Sequence, residues 1–219
     1  MISLAVADSA GLRWAQERAT YNHYLRRPVD SRCSVLSYLV LLDGERVGCL
    51  IFGRPQAQCC YDGLLTYGSR EDVRIGRALF DRWEIVNLAR VWLDSSIQAG
   101  GSAYVPNAAS CAIGRALRRV VVDYPAQFPP CFLDEPWQLR MCLSYCDTRV
   151  PGHHGTIYKA AGFARARVND DGIETWVRSL RRLGPRERQR ISKLAGQNHR
   201  SRVYRSLRTV AADQLELAL

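Results

Sequence analysis

The side chains best suited to move protons or hold charge at a reacting centre fall in two places. Tyr145, Asp147 and Tyr158 lie within one stretch, Leu139 to Phe163, and Arg90 interrupts an apolar run. A phenol donates or relays a proton, and a carboxylate accepts one or orients the group that does. An arginine in an otherwise buried run needs an anion, either a bound group or an internal carboxylate such as Asp147. For Tyr158 the choice is between a site residue and a core aromatic. For His153 and His154 it is between the site and a solvated loop.

These residues need a scaffold. Leu139, Met141, Leu143 and Tyr145 alternate with Arg140, Cys142, Ser144 and Cys146, which predicts a short half-buried strand. Asp147 falls where that strand hands over to a loop, and Arg149-Val-Pro-Gly152 is turn chemistry. A helix is expected from Gly155 or Thr156 to a left-handed cap at Gly162, with Phe163 packing back on it. Ligands collect outside the C-terminal ends of strands in open α/β sheets. Tyr145, Asp147, His153, His154 and Tyr158 are therefore expected around one crevice.

The run Tyr158-Lys-Ala-Ala-Gly162-Phe163 resembles the Y-x-x-x-G-F segment of GNAT acyltransferases. The resemblance implies that this strand and helix flank an acyl-CoA thioester and that the tyrosine protonates the leaving thiolate. The longer run Ser144-Tyr145-Cys146-Asp147, then Gly152-His153-His154-Gly155-Thr156-Ile157-Tyr158, resembles the S-Y-x-D…G-H-x-G-T-x-Y run of the phage Mom family, GNAT-like proteins that modify adenine in DNA. Asn22-His23-Tyr24-Leu25 is similar to that family's H-Y-L element, whose His-Tyr pair lines the active site, against the alternative of His23 as a cation at a helix C-terminus. Arg90 matches the arginine of the family's L-x-R element. Pro106-Asn107-Ala-Ala-Ser110 is compatible with its P-x-N-x-x-S helix entry. The resemblance implies His23, Tyr24, Arg90, Tyr145, Asp147 and Tyr158 as catalytic residues. It implies Asn107, Ser110, His154, Gly155 and Thr156 as contacts of an acetyl-CoA or related acyl donor. Iron is a further family-implied cofactor, with His23, Tyr24, His153 and His154 as ligands by type; no ligand spacing names a metal.

Charge points to a polyanion. The formal net charge is +10. Between Arg178 and Arg208 eleven basic residues face one acid, Glu187, and the rest of the chain balances twenty against twenty. Nearly all the cations are arginine, whose planar fork grips phosphate bidentately. Tyr204 and Trp176 are interspersed aromatics. A basic segment on a neutral body suggests double-stranded DNA, against the alternative of a solubilising tail. Arg70, Arg74, Arg77, Arg181, Arg182, Arg186, Arg190 and Arg200 are the expected phosphate contacts.

Length and an apolar share of 47% allow one sizeable domain plus a tail. No apolar run approaches the ~20 residues of a membrane span. The N-terminus lacks a basic n-region and reaches Asp8 early. A cytoplasmic protein of a bacterial host cell is expected, without membrane attachment. The eight cysteines include no pair of C-x-x-C motifs, so thiols are expected rather than a zinc ribbon or disulfides.

In chain order the expectation is a helix over 9–24 capped by Asp8 or Ser9, then a hairpin of 34–42 and 45–52 around Asp43-Gly44. Residues 56–78 read as a long loop or short helix. A strand over 82–93 follows, then a loop containing Gly100-Gly101, and a helix over 108–124 capped by Asn107. Its first amides are a ready anion site. A proline-rich connector, the central strand–loop–helix and a hairpin of 164–168 and 173–177 close the body. The fold class is α/β, a GNAT-like mixed twisted sheet flanked by helices. Residues 1–178 form the catalytic domain and 179–219 a basic helical C-terminal extension. The leading function is Mom-like modification of adenine N6 in DNA with a carbamoylmethyl-type group, protecting it from restriction. The alternative is a GNAT N-acetyltransferase using acetyl-CoA on a protein or small-molecule amine. A DNA-binding protein that kept the scaffold is a third class.

Overall fold

A computed structural model describes residues 1–23, 26–30, 34–55, 60–61, 64–75, 78–129 and 138–181. The chain opens with β1 (Ile2–Val6), which runs antiparallel to β2 from Ile2↔Leu42 to Val6↔Tyr38. This strand is absent from the sequence-based order. Only Ile2 of it is fully buried, so five residues give no alternation strong enough to read. Helix α1 (Ser9–Asn22) starts where Asp8 accepts the Gly11 N–H at 2.7 Å. It buries Ala15 and Ala19 against Leu39, Cys49 and Ile51. It stops at Asn22 rather than 24 because His23 turns extended and closes the helix onto the Ala19 carbonyl.

Strands β2 (Leu36–Leu42) and β3 (Glu45–Gly53) form the expected hairpin. Asp43 and Gly44 take φ of 51° and 94°, both positive as a two-residue primed turn requires. Residues 56–78 hold more than a loop. Among them lie β4 (Cys60–Tyr61), β5 (Leu64–Gly68) and α2 (Arg70–Arg74), and β6 (Ala78–Asp81) follows. β4-β5-β6 make a second, three-stranded sheet. Strands of two to five residues are too short to register as a period. Ser69 and Asp72 cap α2 reciprocally, the capping box that starts so short a helix.

A 3₁₀ turn over Arg82–Glu84, started by Asp81, delays β7 to Ile85–Leu93. Helix α3 (Ala108–Gln127) buries Ala112, Ile113, Ala116, Leu117 and Val120 at the expected spacing. It runs through Pro125 to a cap at Phe128, losing one intrahelical hydrogen bond to the proline. Then come β8 (Met141–Asp147), α4 (Thr156–Ala160), β9 (Ala164–Val168) and β10 (Ile173–Ser179). The main sheet is mixed, seven-stranded and flanked by helices, in the order β1-β2-β3-β7-β8-β10-β9. By contacts the chain forms two units, Met1–Arg54 with Asn87–Leu133 and Pro55–Val86 with Asp134–Leu219.

The core of the first unit includes Leu36, Tyr38, Leu50, Phe52 and Ile113. Its polar tie is Tyr38, whose hydroxyl donates to Asp123 at 2.8 Å while Arg119 holds the same carboxylate at 3.2 Å. Arg119 also donates to the Leu4 carbonyl, so α3, β2 and β1 meet at one network. Burial, then the Asp123 contact, push the Tyr38 phenol far above its ordinary range. In the second unit Arg140 pairs with Glu84 at 2.6 Å, and its amide donates to the Glu84 carbonyl at 2.7 Å.

Of the described cysteines, 49, 142 and 146 are buried free thiols and Cys111 is exposed. Burial pushes the Cys49 thiol up to about 12, so it forms almost no thiolate at neutral pH. Iodoacetamide at pH 8 followed by peptide mass spectrometry is expected to label Cys111 in the native protein. Cys49, Cys142 and Cys146 should react only after denaturation.

Candidate functional site

β8 and β10 pair antiparallel, with Ser144 opposite Trp176, Tyr145 opposite Thr175 and Cys146 opposite Glu174. Side chains alternate across a sheet, so Cys142, Ser144, Cys146, Glu174, Trp176 and Arg178 share one face. Helix α4 lies on that face. Trp176 meets Gly155, the N-cap of α4, so closely that a Cβ there would overlap its indole ring. Arg178 donates to the Ala161 carbonyl at the other end of the helix. The small side chains of Cys142, Ser144 and Cys146 leave room for this packing. They also explain why β8 is buried on both faces rather than half-buried as its alternation suggests.

Tyr158 is buried on the α4 side. Its ring stands 6.0 Å from Trp176 at 32°, and 5.7 Å from Phe163 at 65°. Gly162, at φ 77°, ends the helix as expected, and the Phe163 amide returns to the Tyr158 carbonyl at 2.9 Å. Trp176 is held from below: its indole N–H donates to Glu174 at 3.0 Å, and Arg165 donates to the other oxygen at 2.7 Å.

Tyr145 and Asp147 belong to the opposite face of β8. The expectation of one crevice holding both with Tyr158 is thus corrected by strand parity: odd and even residues of β8 face opposite ways, and α4 took the even side. Asp147 accepts from Arg149 three times, from the backbone amide at 3.1 Å, Nε at 2.9 Å and Nη2 at 2.7 Å. The Arg149 guanidinium, its amide and the nearby His153 hold the Asp147 carboxyl down at about 2. Asp147 is therefore ionised throughout the physiological range and carries no exchangeable proton there. Burial pushes the Cys146 thiol up, against a hydrogen bond from the Gly155 backbone.

The other predicted residues are placed as follows. His23 is the half-buried C-cap of α1. Arg90 is 8% exposed and gives its guanidinium to backbone carbonyls, Ala89 at 2.6 Å and Arg27 at 3.4 Å. Asn107 does not cap α3 with its side chain: it sits left-handed, at φ 57°, which turns the side chain away from the helix amides. Ser110 instead donates to the Asn107 carbonyl at 3.1 Å. His154 and Thr156 are exposed, and Gly155 is buried against Trp176. Arg70 and Arg74 pair with carboxylates of their own unit, Asp81 at 3.4 Å and Glu71 at 2.5 Å, and both side chains stay largely exposed. Arg181 donates to the Gln138 side chain. Tyr24, Arg77, Arg182, Arg186, Arg190, Arg200 and Tyr204 lie outside the described residues.

Glu174, Trp176 and Arg178 were not singled out as site residues. Trp176, read as an aromatic of the basic segment, is buried at 6% exposure and cannot stack on a base. The signal was present, since Glu, Trp and Arg at alternate positions put two charges and an indole on one buried face.

Two further observations bear on bound groups. Among the described residues no three His, Cys, Asp or Glu side chains converge to hold a metal ion. None of their helices is long and apolar enough to cross a membrane. For the pyrophosphate of a CoA, the Gly100-Gly101 loop fits poorly, because three amides across it are already used. Gly101, Ala103 and Val105 donate to Gln98, Ser96 and Ile97 at 2.9–3.0 Å. The first turn of α3 does fit. Ala108 bonds back to Val105 and Cys111 starts the helical ladder on Asn107, which leaves the Ala109 and Ser110 amides without intrahelical acceptors.

No family model and no curated protein sequence matches the chain. Solved structures do. Aminoglycoside acetyltransferase AAC(6')-Ib in complex with coenzyme A aligns at TM-score 0.49 and 15% identity, over 88% of this chain and 98% of that one. The ribosomal-protein-S18-alanine N-acetyltransferase from Escherichia coli aligns at 0.46 and 10%, over 84% and 97%. A mutant form of the spermidine/spermine N-acetyltransferase SpeG from Vibrio cholerae aligns at 0.45 and 10%, over 82% and 95%.

Two predictions follow from the site's packing and charge. Gly155→Ala combines left-handed strain with overlap on Trp176, so a loss of about 2–4 kcal/mol is expected. Gly152→Ala has φ 82° but open space, and should cost about 1 kcal/mol. Urea unfolding of both variants separates packing from strain. Asp147 has a folded pKa below its unfolded value, so its stabilisation is present above about pH 4 and fades as pH falls towards 2. Asp147→Asn should therefore be less stable than the parent at pH 7, with the gap closing between pH 4 and 2 in a series of urea titrations.

Proposed function

We propose that this chain is a GNAT-like transferase that moves an acyl-type group from a CoA thioester to an amine. The observation that carries the reading is the folded form of the segment holding Y-x-x-x-G-F. It is a strand, a turn-rich loop and a short helix capped at Gly162, with Tyr158 fixed by Trp176 and Phe163. Bound, an acyl-CoA supplies an acyl group already activated as a thioester. The Tyr158 phenol holds a proton at Oη for a departing sulfur, while the attacking amine gives one up to solvent or to a base. Asp147, ionised beside Arg149 and His153, orients charge at the end of β8 and carries no proton near neutral pH.

A second reading is a different transfer, onto N6 of adenine in double-stranded DNA: a carbamoylmethyl-type group is joined through an N–CH₂ bond, which acyl transfer from a thioester does not form, so its donor is of another chemical class. What favours it is the S-Y-x-D…G-H-x-G-T-x-Y run and the basic segment after Arg178. N6 is engaged in pairing inside a duplex, so this reading requires the base to be flipped out. The extension from residue 179 would then supply phosphate contacts.

The test has two arms. Thiol release from acetyl-CoA is followed with a polyamine, with a peptide N-terminus and with duplex DNA as acceptor. Nucleosides from cells expressing the protein are examined by mass spectrometry beside an Asp147→Ala control. Turnover on an amine, reduced about 10²-fold in Tyr158→Phe, supports transfer with a tyrosine proton donor. A heavier deoxyadenosine that disappears in the control supports the DNA reading. No thiol release with any acceptor and unmodified nucleosides would overturn both.

A further inference from the structure

We infer that Glu174 and Trp176 are positioning residues for Tyr158, fixing where its ring stands and so where its proton is offered. The inference rests on the reading of Tyr158 as proton donor and holds whichever amine is the acceptor. Helix α4 has five residues, far too few to keep its own geometry in water. Its geometry comes from β10, which presents Glu174, Trp176 and Arg178 in alternation beneath it.

Glu174 is a buried carboxylate at 5% exposure, held from two sides. One oxygen accepts the Trp176 indole N–H at 3.0 Å and the other accepts from Arg165 at 2.7 Å. Rotating that carboxylate would break one grip or both and leave a buried charge poorly paired, which is costly. The carboxylate therefore fixes the indole in its plane. Gly155 rests on the indole with no room for a Cβ, so the first turn of α4 can come no lower. The Tyr158 ring stands 6.0 Å from the same indole, tilted by 32°, and meets Phe163 edge-on at 5.7 Å. Arg178 pins the far end of the helix at Ala161. Three residues after the cap, Tyr158 has its height and tilt set by Glu174 through Trp176.

The test uses the full-length protein with its tyrosine rings labelled with ¹³C. The Tyr158 resonance is assigned by its loss in Tyr158→Phe. Trp176→Phe removes the N–H that Glu174 holds. Glu174→Gln keeps the shape and removes the charge. In both, the Tyr158 resonance is expected to move or broaden while that of Tyr38, in the other unit, stays in place. The kcat for transfer from acetyl-CoA is expected to fall about tenfold to a hundredfold, as a misplaced reacting group does. KM for acetyl-CoA should stay within about twofold, because ground-state binding is not what is lost. If Trp176→Phe fails to fold, the isosteric Glu174→Gln decides alone. An unchanged Tyr158 resonance in the folded variants overturns the inference. So does a Tyr38 resonance that moves with it, which marks general loosening. A parent without turnover on any acceptor overturns the proton-donor reading instead, and the resonances still decide whether Glu174 and Trp176 place the ring.

Discussion

A buried carboxylate has to be answered where it stands, and in this chain Glu174 is the one that sets the second unit's local geometry. Stripped of water and of partners it would cost several kcal/mol. Arg165 supplies the charge, and the Trp176 indole supplies a directed N–H. That second bond turns a large apolar ring into an oriented one. An indole with a satisfied N–H lies in one plane and presents one surface, on which Gly155 and Tyr158 then have to fit. The glycine, the short helix and the tyrosine are consequences of one buried ion being satisfied.

The first unit solves a comparable problem with a neutral donor. The Tyr38 hydroxyl sits at the end of a fully buried side chain and donates a hydrogen bond to Asp123, which Arg119 also holds. Arg119 covers the Tyr38 ring at 5.3 Å while reaching the Leu4 carbonyl. This couples the C-terminal half of α3 to two strands. The N-terminal half, whose first amides carry the positive end of a twenty-residue helix dipole, is thereby held at a fixed place in the unit. Both units use a polar contact in an apolar layer to fix a helix.

Much of this was legible beforehand, for identifiable reasons. Asp43-Gly44 could only be a tight turn, the apolar spacing of Ala112 to Val120 could only be a buried helix, and Gly162 before Phe163 could only be a cap. What escaped the sequence depended on partners distant in the chain. Strand β8 advertised its alternation correctly, but only β10 decides which face takes a helix, so Tyr145 and Asp147 were grouped with Tyr158 when they point the other way. Arg70 and Arg74 read as phosphate contacts because composition does not carry their pairings with Asp81, across the unit, and Glu71, one turn back on α2. Trp176 read as a surface aromatic because it borders the basic segment, although its alternation with Glu174 and Arg178 already argued for burial.

The separation of Asp147 from Tyr158 also limits how chemistry can be divided between them. A group poised to exchange protons near neutrality needs a pKa near the working pH. Asp147, clamped by Arg149 and held at about 2, is several units away and stays an anion. It can fix a charge or orient a donor, and it cannot alternate between states during turnover. The α4 side of β8 differs: there the Tyr158 phenol is buried beside Trp176 and Phe163, while the opposite face keeps a constant charge. Strand, loop and helix are one continuous segment, and the alternation of β8 is what keeps its carboxylate and its phenol apart.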